Sequence, residues 1–191
     1  QINLEEEKNI IYELYRQLEA GNSTITVREL ATLTYCSPSK IVRLAKKMGY
    51  SFIDSDIVIQ DTYGCTLEEL IDKHGDAGFI KIENDINCSI SPEHTIIATG
   101  GSAVYGKEAM EHLRQIGTVI YLKLDYADID RRLSDIKGRG VVLKDGQTLK
   151  DLYDERVVLY EKYADITIAE DGLNVEQTIE KIVAQIQKES L

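Results

Sequence analysis

From Ile53 onward the sequence keeps switching hydrophobic period, and that alternation constrains the fold more than any other feature. Short β-branched runs stand at HTIIATGG (94–101), GTVIYLKL (117–124) and DITIAE (165–170), and IDSDIVIQ (53–60) opens with another. Between them lie stretches at helical spacing: LEELIDKHG (67–75), AGFIKIENDIN (77–87), GKEAMEHLRQIG (106–117), DYADIDRRLSDI (125–136) and TLKDLYDERVVLYEKYA (148–164). VEQTIEKIVAQIQKES (175–190) closes the series as an amphipathic helix. Parallel strands cannot be joined by a tight turn; each needs a crossover, usually a helix. Strands and helices in this order therefore predict a layered α/β domain with a mostly parallel sheet over residues 53–191.

Residues 1–52 have a different rhythm. LEEEKNIIYELYRQLE (4–19) reads as a helix with its acids at the positive end of the dipole, and Gly21-Asn22-Ser23 stops it. Thr26 suits the N-cap of a short helix around Arg28–Leu33. Ser37-Pro38 is a second start signal, after which Ile41, Leu44, Ala45 and Met48 face one way and Lys40, Arg43, Lys46 and Lys47 the other. Two short helices, the second basic, make a helix-turn-helix pattern.

Charge follows the same division. The chain carries net charge -11, yet residues 28–52 hold five cations against Glu29 alone, and residues 53–191 hold 15 cations against 27 acids. A solvated basic helix face explains the local excess equally well. No apolar run reaches the roughly 20 residues of a membrane span, so no membrane partner is expected. Cys36, Cys65 and Cys88 stand far apart, which disfavours disulfides and a zinc site and fits a reducing cytoplasm. His74, His94 and His112 share no metal-ligand spacing.

Residues 1–52 resemble the helix-turn-helix domain of the RpiR family of sugar-responsive regulators. The likeness rests on Ile25-Thr26-Val27, Leu30-Ala31, Ser37-Pro38-Ser39, Ile41-Val42-Arg43 and Lys46 through Tyr50. That resemblance implies DNA as a partner through residues 28–50, with Ser37, Ser39, Lys40, Arg43 and Lys47 as contacts. It also implies a homodimer, since one module of this size gives few base contacts.

From Phe52 almost to the C-terminus the chain resembles the shikimate kinase family. Four stretches carry this: Phe52-Ile53-Asp54-Ser55-Asp56; Gly78-Phe79 with Glu83; Ala98-Thr99-Gly100-Gly101; and Asp154-Glu155-Arg156 with Tyr160 and Ala164-Asp165. The resemblance implies a three-layer α/β domain, ATP and magnesium as cofactors, and a small-molecule metabolite as partner. Asp56 would hold the substrate hydroxyl, and Asp54 would sit nearer the metal. Gly100 and Gly101 would let the backbone approach the substrate. Arg139 would reach the phosphates from a lid, and Arg156 would pair with a substrate carboxylate. Phosphoryl transfer is mostly positioning and charge neutralisation, which explains these residue types. Asp54 and Asp56 are equally suited to capping a helix, and Arg156 to a surface ion pair.

Two departures stand out. Where the family has Gly-x-x-Phe-Arg, this chain has Ile80 after Phe79, so an aliphatic group replaces a carboxylate-binding cation. Upstream of residue 53 there is no GxxxxGK[ST] loop, and the family's central strand, between those at 94–101 and 117–124, has no obvious counterpart. Gly101–Lys107 has the glycine and lysine spacing, but Glu108 follows instead of serine or threonine. LATLTYC with SPSK can be read as a strand and shortened loop, making Lys40 the phosphate lysine; another chain or a missing segment would also fill the gap. The missing loop tilts the expectation toward a ligand-responsive DNA-binding transcriptional regulator with a kinase-like sensing domain. The alternative is an ATP- and magnesium-dependent small-molecule kinase.

Overall fold

The computed structural model describes residues 38–134, 144 and 146–189. Helix α1 (Pro38–Met48) leads into strand β1 (Ser51–Asp54), α2 (Ser55–Tyr63) and the long α3 (Leu67–Ser89). Strand β2 (Thr95–Ala98) runs into a 3-10 turn (Gly101–Tyr105) and α4 (Lys107–Ile116). Strand β3 (Ile120–Lys123), α5 (Tyr126–Ser134), α6 (Leu149–Tyr163), β4 (Ile166–Ala169) and α7 (Val175–Glu189) complete the order. The alternation read from the sequence is thus an α/β fold with parallel strands.

Local chemistry fixes the element ends. Thr66 and Thr148 each form a capping box, with Glu69 and Asp151 respectively, which satisfies orphan N–H groups at the starts of α3 and α6. The two helical stretches either side of Gly75 are continuous in α3 but kinked, because Gly75 takes φ 70° and ψ 174°. A side chain there would be strained, and only glycine adopts this conformation freely.

The strands pair as β1 with β2 (Ser51 opposite Thr95) and β3 with β4 (Ile120 opposite Ile166), both parallel. No hydrogen-bonded ladder joins β2 to β3 among the described residues, so the sheet is split in two. Packing nevertheless spans the split on both faces. On one, Ile96 of β2 and Ile120 and Leu122 of β3 pack on Ile166, Ile168, Ile179 and Ile182 beneath α7, together with Met48 of α1. On the other, Ile97 and Tyr121 join Met110, Leu113, Tyr160 and Tyr163 from α4 and α6. The split falls where the central strand of the resembled family would lie, and no described residue fills it.

Helix α1, placed in the first module by its sequence, packs on α7, β1 and β2. Val42 and Ala45 are buried, and Arg43 reaches Glu176 of α7 at 3.2 Å. The helices read at 4–19 and 28–33 lie outside the described residues. No helix among the described residues is long and apolar enough to cross a membrane.

Candidate functional site

The carboxyl ends of β1 and β2 bring three acids together. Asp54 is the last residue of β1, and its side chain accepts from the Asp56 backbone N–H at 2.9 Å, capping α2. Asp56 follows in the first turn of α2, and both are buried. Glu83 comes from the middle of α3, on the stripe that also carries Phe79 and Ile82, and is 1% exposed. Its Oε2 accepts from the Ser102 hydroxyl at 2.6 Å, while Oε1 has no hydrogen-bond partner.

These acids border Gly100, at the mouth of β2. A Cβ there would lie 2.9 Å from Glu83 Oε1 and 3.0 Å from Asp56 Oδ1. Gly100 has an ordinary φ of -63°. Space, not backbone conformation, is what glycine supplies at this position.

Burial sets the proton affinities. Desolvation lifts the Asp56 carboxyl to about 8, and the charges of Asp54 and Glu83 push the same way. Glu83 rises to about 7 through burial, opposed by the Ser102 hydrogen bond and by Arg156. Asp54 rises to about 6 through burial, opposed by the backbone N–H groups of Asp56 and Ile57. Three desolvated acids clustered together are short of positive charge and hydrogen-bond donors.

The other wall is built by the 3-10 turn and α6. The Tyr160 hydroxyl donates to the Gly101 carbonyl at 2.8 Å, tying α6 to the glycine turn. The Tyr105 hydroxyl donates to Glu155 Oε1 at 2.5 Å, and Arg156 Nε donates to the Tyr105 oxygen at 3.4 Å. The Arg156 guanidinium lies 5.4 Å from the centre of the Tyr105 ring. Arg156 is therefore held by an aromatic face, and among the described residues it forms no ion pair.

The structure thus gathers Asp54, Asp56, Gly100 and Gly101 at one crevice and places Arg156 on its α6 wall. Arg139 lies outside the described residues, as does Ser37. Ser39 and Lys40 fall in the first turn of α1, Lys47 is exposed at its far end, and Arg43 is engaged with Glu176. Sequence reasoning counted Glu83 among the residues that carry the family likeness but gave it no role, and passed over Ser102 and Tyr105. The signal for Glu83 was an acid between Ile82 and Ile86 on an apolar helix face.

Magnesium is usually held by one or two carboxylates, with water and substrate phosphates completing its shell. Among the described residues no three His, Cys, Asp or Glu side chains gather to hold a metal unaided. Asp54, with Asp56 beside it, fits the smaller requirement. The nucleotide is a different matter. Gly101–Lys107 folds as the 3-10 turn and the start of α4, and Lys107 is exposed opposite Glu111 at 3.8 Å. In that segment the Ala103 and Gly106 N–H groups are already spent on the Gly100 and Ala103 carbonyls, and no stretch of the described residues has the GxxxxGK[ST] pattern of a phosphate-binding loop.

Fold and acid cluster define an α/β protein with parallel strands and three buried acids near the carboxyl ends of β1 and β2, where open sheets of this kind bind ligands. Comparison with known proteins narrows the class. The shikimate kinase family model matches residues 39–187, and the chain belongs to that family. The shikimate kinase of Thermodesulfovibrio yellowstonii is 33% identical over 148 residues, covering 76% of this chain and 85% of the relative. That of Haemophilus influenzae is 36% identical over 146 residues, covering 74% and 81%. Among solved structures, shikimate kinase from Acinetobacter baumannii in complex with shikimate superposes with a TM-score of 0.71 at 28% identity, over 80% of this chain and 87% of that one. The Aquifex aeolicus enzyme, at 24% identity, shares the fold with a TM-score of 0.68 over 85% and 93%.

These findings overturn the expectation of a DNA-binding transcriptional regulator. The family match begins at residue 39, inside the stretch assigned to the recognition helix, and the relatives are kinases. The physical reason for the error is plain. A helix bracing a sheet needs the same apolar stripe as one bracing a helix-turn-helix, and solvated lysines decorate both. Neither the RpiR likeness nor DNA binding finds support in the comparisons.

Proposed function

We propose that the chain is a small-molecule phosphotransferase, moving a phosphoryl group from ATP, with magnesium, to a hydroxyl of shikimate or a related metabolite. The observation that carries this reading is the convergence of Asp56 and Glu83 on Gly100 with Arg156 close by. Asp56 accepts a hydrogen bond from the acceptor hydroxyl and orients it. A carboxyl with proton affinity near neutrality suits that task, because proton transfer is most effective when the pKa lies near the working pH. The Gly100 backbone allows the acceptor to approach both acids, and Gly101, tied down by Tyr160, fixes the turn behind it. Arg156, oriented by Tyr105, meets an anionic group on the acceptor. Asp54 lies where it would ligate magnesium, and Arg139 is the lid arginine of this reading. ATP and magnesium, when bound, supply the phosphoryl group and its counter-charge.

The test is phosphomonoester formation from Mg-ATP and shikimate or a related polyol. Asp56→Asn should lower kcat by about 100-fold or more while changing KM little, since its hydrogen bond to the hydroxyl matters most as charge develops. Unchanged turnover in Asp56→Asn would refute the assignment.

A further inference from the structure

The Tyr105 hydroxyl stands between an acid and a cation that are neighbours on α6. Its proton goes to Glu155 Oε1 at 2.5 Å, and its oxygen accepts from Arg156 Nε at 3.4 Å. An ionised carboxylate only accepts and a guanidinium only donates, whereas a hydroxyl has a single proton that rotates to suit. Glu155 therefore decides which way that proton points. Without it the proton is free to swing toward the guanidinium, and Arg156 loses its acceptor. Glu155 is only partly buried, with 38% of its side chain exposed, so its direct pull on Arg156 is weakened by water. The hydroxyl is the route by which it acts.

Glu155 is in turn held by the turn that precedes α6. Gln147 Nε2 donates to Glu155 Oε2 at 3.4 Å, and Lys144 Nζ lies 3.9 Å from Oε1. Gln147 and Lys144 are locked to each other: the Gln147 N–H donates to the Lys144 carbonyl at 2.9 Å, and Gln147 Oε1 accepts from the Lys144 N–H at 3.3 Å. Turn, Glu155, Tyr105 and Arg156 thus form one connected set between the start of α6 and the 3-10 turn after β2. Ordering a long arginine side chain costs entropy when a ligand must do it. Here the Tyr105 ring, 5.4 Å from the guanidinium, and the Tyr105 oxygen supply that order beforehand. Fixing Nε also fixes the guanidinium plane, which decides whether a carboxylate is met by two parallel hydrogen bonds.

We propose that Glu155 is a positioning residue: by taking the Tyr105 proton it fixes the guanidinium of Arg156, and so sets the preference of the site for an acceptor bearing a carboxylate. This inference rests on the phosphotransferase reading, in which Arg156 meets the anionic group of the acceptor. It adds two residues, Glu155 and Tyr105, that act only through Arg156.

Calorimetric binding to the full chain tests this with shikimate and its methyl ester, which differ in the carboxylate charge and one methyl group. The wild-type chain should bind shikimate at least about 10-fold tighter than the ester. Glu155→Ala and Tyr105→Phe should each cut that preference to about 3-fold, the effect of losing one pre-ordered side chain. Glu155→Gln keeps an accepting oxygen and should retain most of the preference. Arg156→Gln should abolish it, and adding Glu155→Ala to that variant should change shikimate affinity by less than about 2-fold. Circular dichroism checks the fold of each variant. A wild-type chain without the preference, or with no shikimate binding at millimolar concentration, would overturn the proposal. So would a preference unaltered in Glu155→Ala and Tyr105→Phe, or a Glu155→Ala effect that persists undiminished beside Arg156→Gln, the mark of a merely structural role. Phosphorylation of shikimate by Mg-ATP is then assayed. Turnover with a shikimate KM unmoved by Glu155→Ala would defeat the proposal and leave the phosphotransferase reading standing. The predicted binding pattern without turnover would defeat that reading and leave Glu155 its positioning role.

Discussion

Replacing Glu83 by glutamine should make the protein more stable, and increasingly so as pH rises. Burial holds this carboxyl at about 7, against an ordinary value of 4.5. Between those values the folded chain keeps a proton that the unfolded chain has released. The Glu83 contribution is therefore fully present below about 4.5, falls as pH climbs through about 7, and is flat above. The displacement corresponds to about 3 kcal/mol over the whole range, an upper limit because Asp54 and Asp56 share the same site. Glutamine has the same shape, carries no charge, and keeps an oxygen for Ser102. Urea unfolding of both proteins from pH 4.5 to 8.5 is the assay. The curves should nearly coincide at the acid end, with Glu83→Gln ahead by up to about 3 kcal/mol at the alkaline end. In a chain of 191 residues each kcal/mol moves Tm by about 2–4 °C, so thermal melting also resolves the difference. Parallel curves, or a wild-type protein that gains on the variant with rising pH, would refute the reasoning.

Three further outcomes follow from the packing around the crevice. Gly100→Ala places a methyl at 2.9 Å from Glu83 Oε1 and 3.0 Å from Asp56 Oδ1, so acceptor KM should rise at least 10-fold. Its cost in stability should stay within about 1–3 kcal/mol, as for other overpacked sites, by denaturant titration. Tyr160→Phe removes the hydrogen bond to the Gly101 carbonyl and should cost about 1–3 kcal/mol in the same titration, the range for a buried group left unpaired. Ile179→Ala, at a side chain 1% exposed beneath both strand pairs, should cost about 2–5 kcal/mol.

Element order was readable because period is local: a β-branched run in TIIA, two-residue alternation in ITIA, helical stripes in KEAMEHLRQI and VEQTIEKIVAQIQKE. Partnership is not local. The stripe of Ile41, Leu44, Ala45 and Met48 read from the sequence says that α1 buries one face, but not that Val42 is buried with Ala45 or that the partner is α7 and the sheet. The same limit governs the site. Asp54, Asp56, Gly100 and Gly101 were named through the likeness of their motifs to those of shikimate kinases, and the structure sets them near one another. Glu83 belongs there only because the rotation of α3, set by Phe79 and Ile82 in the core, turns it toward β2. Tyr105 enters through a 3-10 turn too short for any periodicity to reveal. No strand among the described residues lies between β2 and β3, and local pattern says nothing of what fills the split.

The central claim is that a chain of this family, with an intact acidic crevice but no phosphate loop among its described residues, still works with ATP. Thermal melting of the full chain against increasing Mg-ATP tests this most directly, because a ligand that binds only the folded state raises its stability by mass action. A saturable rise in Tm, dependent on magnesium, is the predicted result. A cooperative melting transition unmoved at millimolar Mg-ATP would contradict the account.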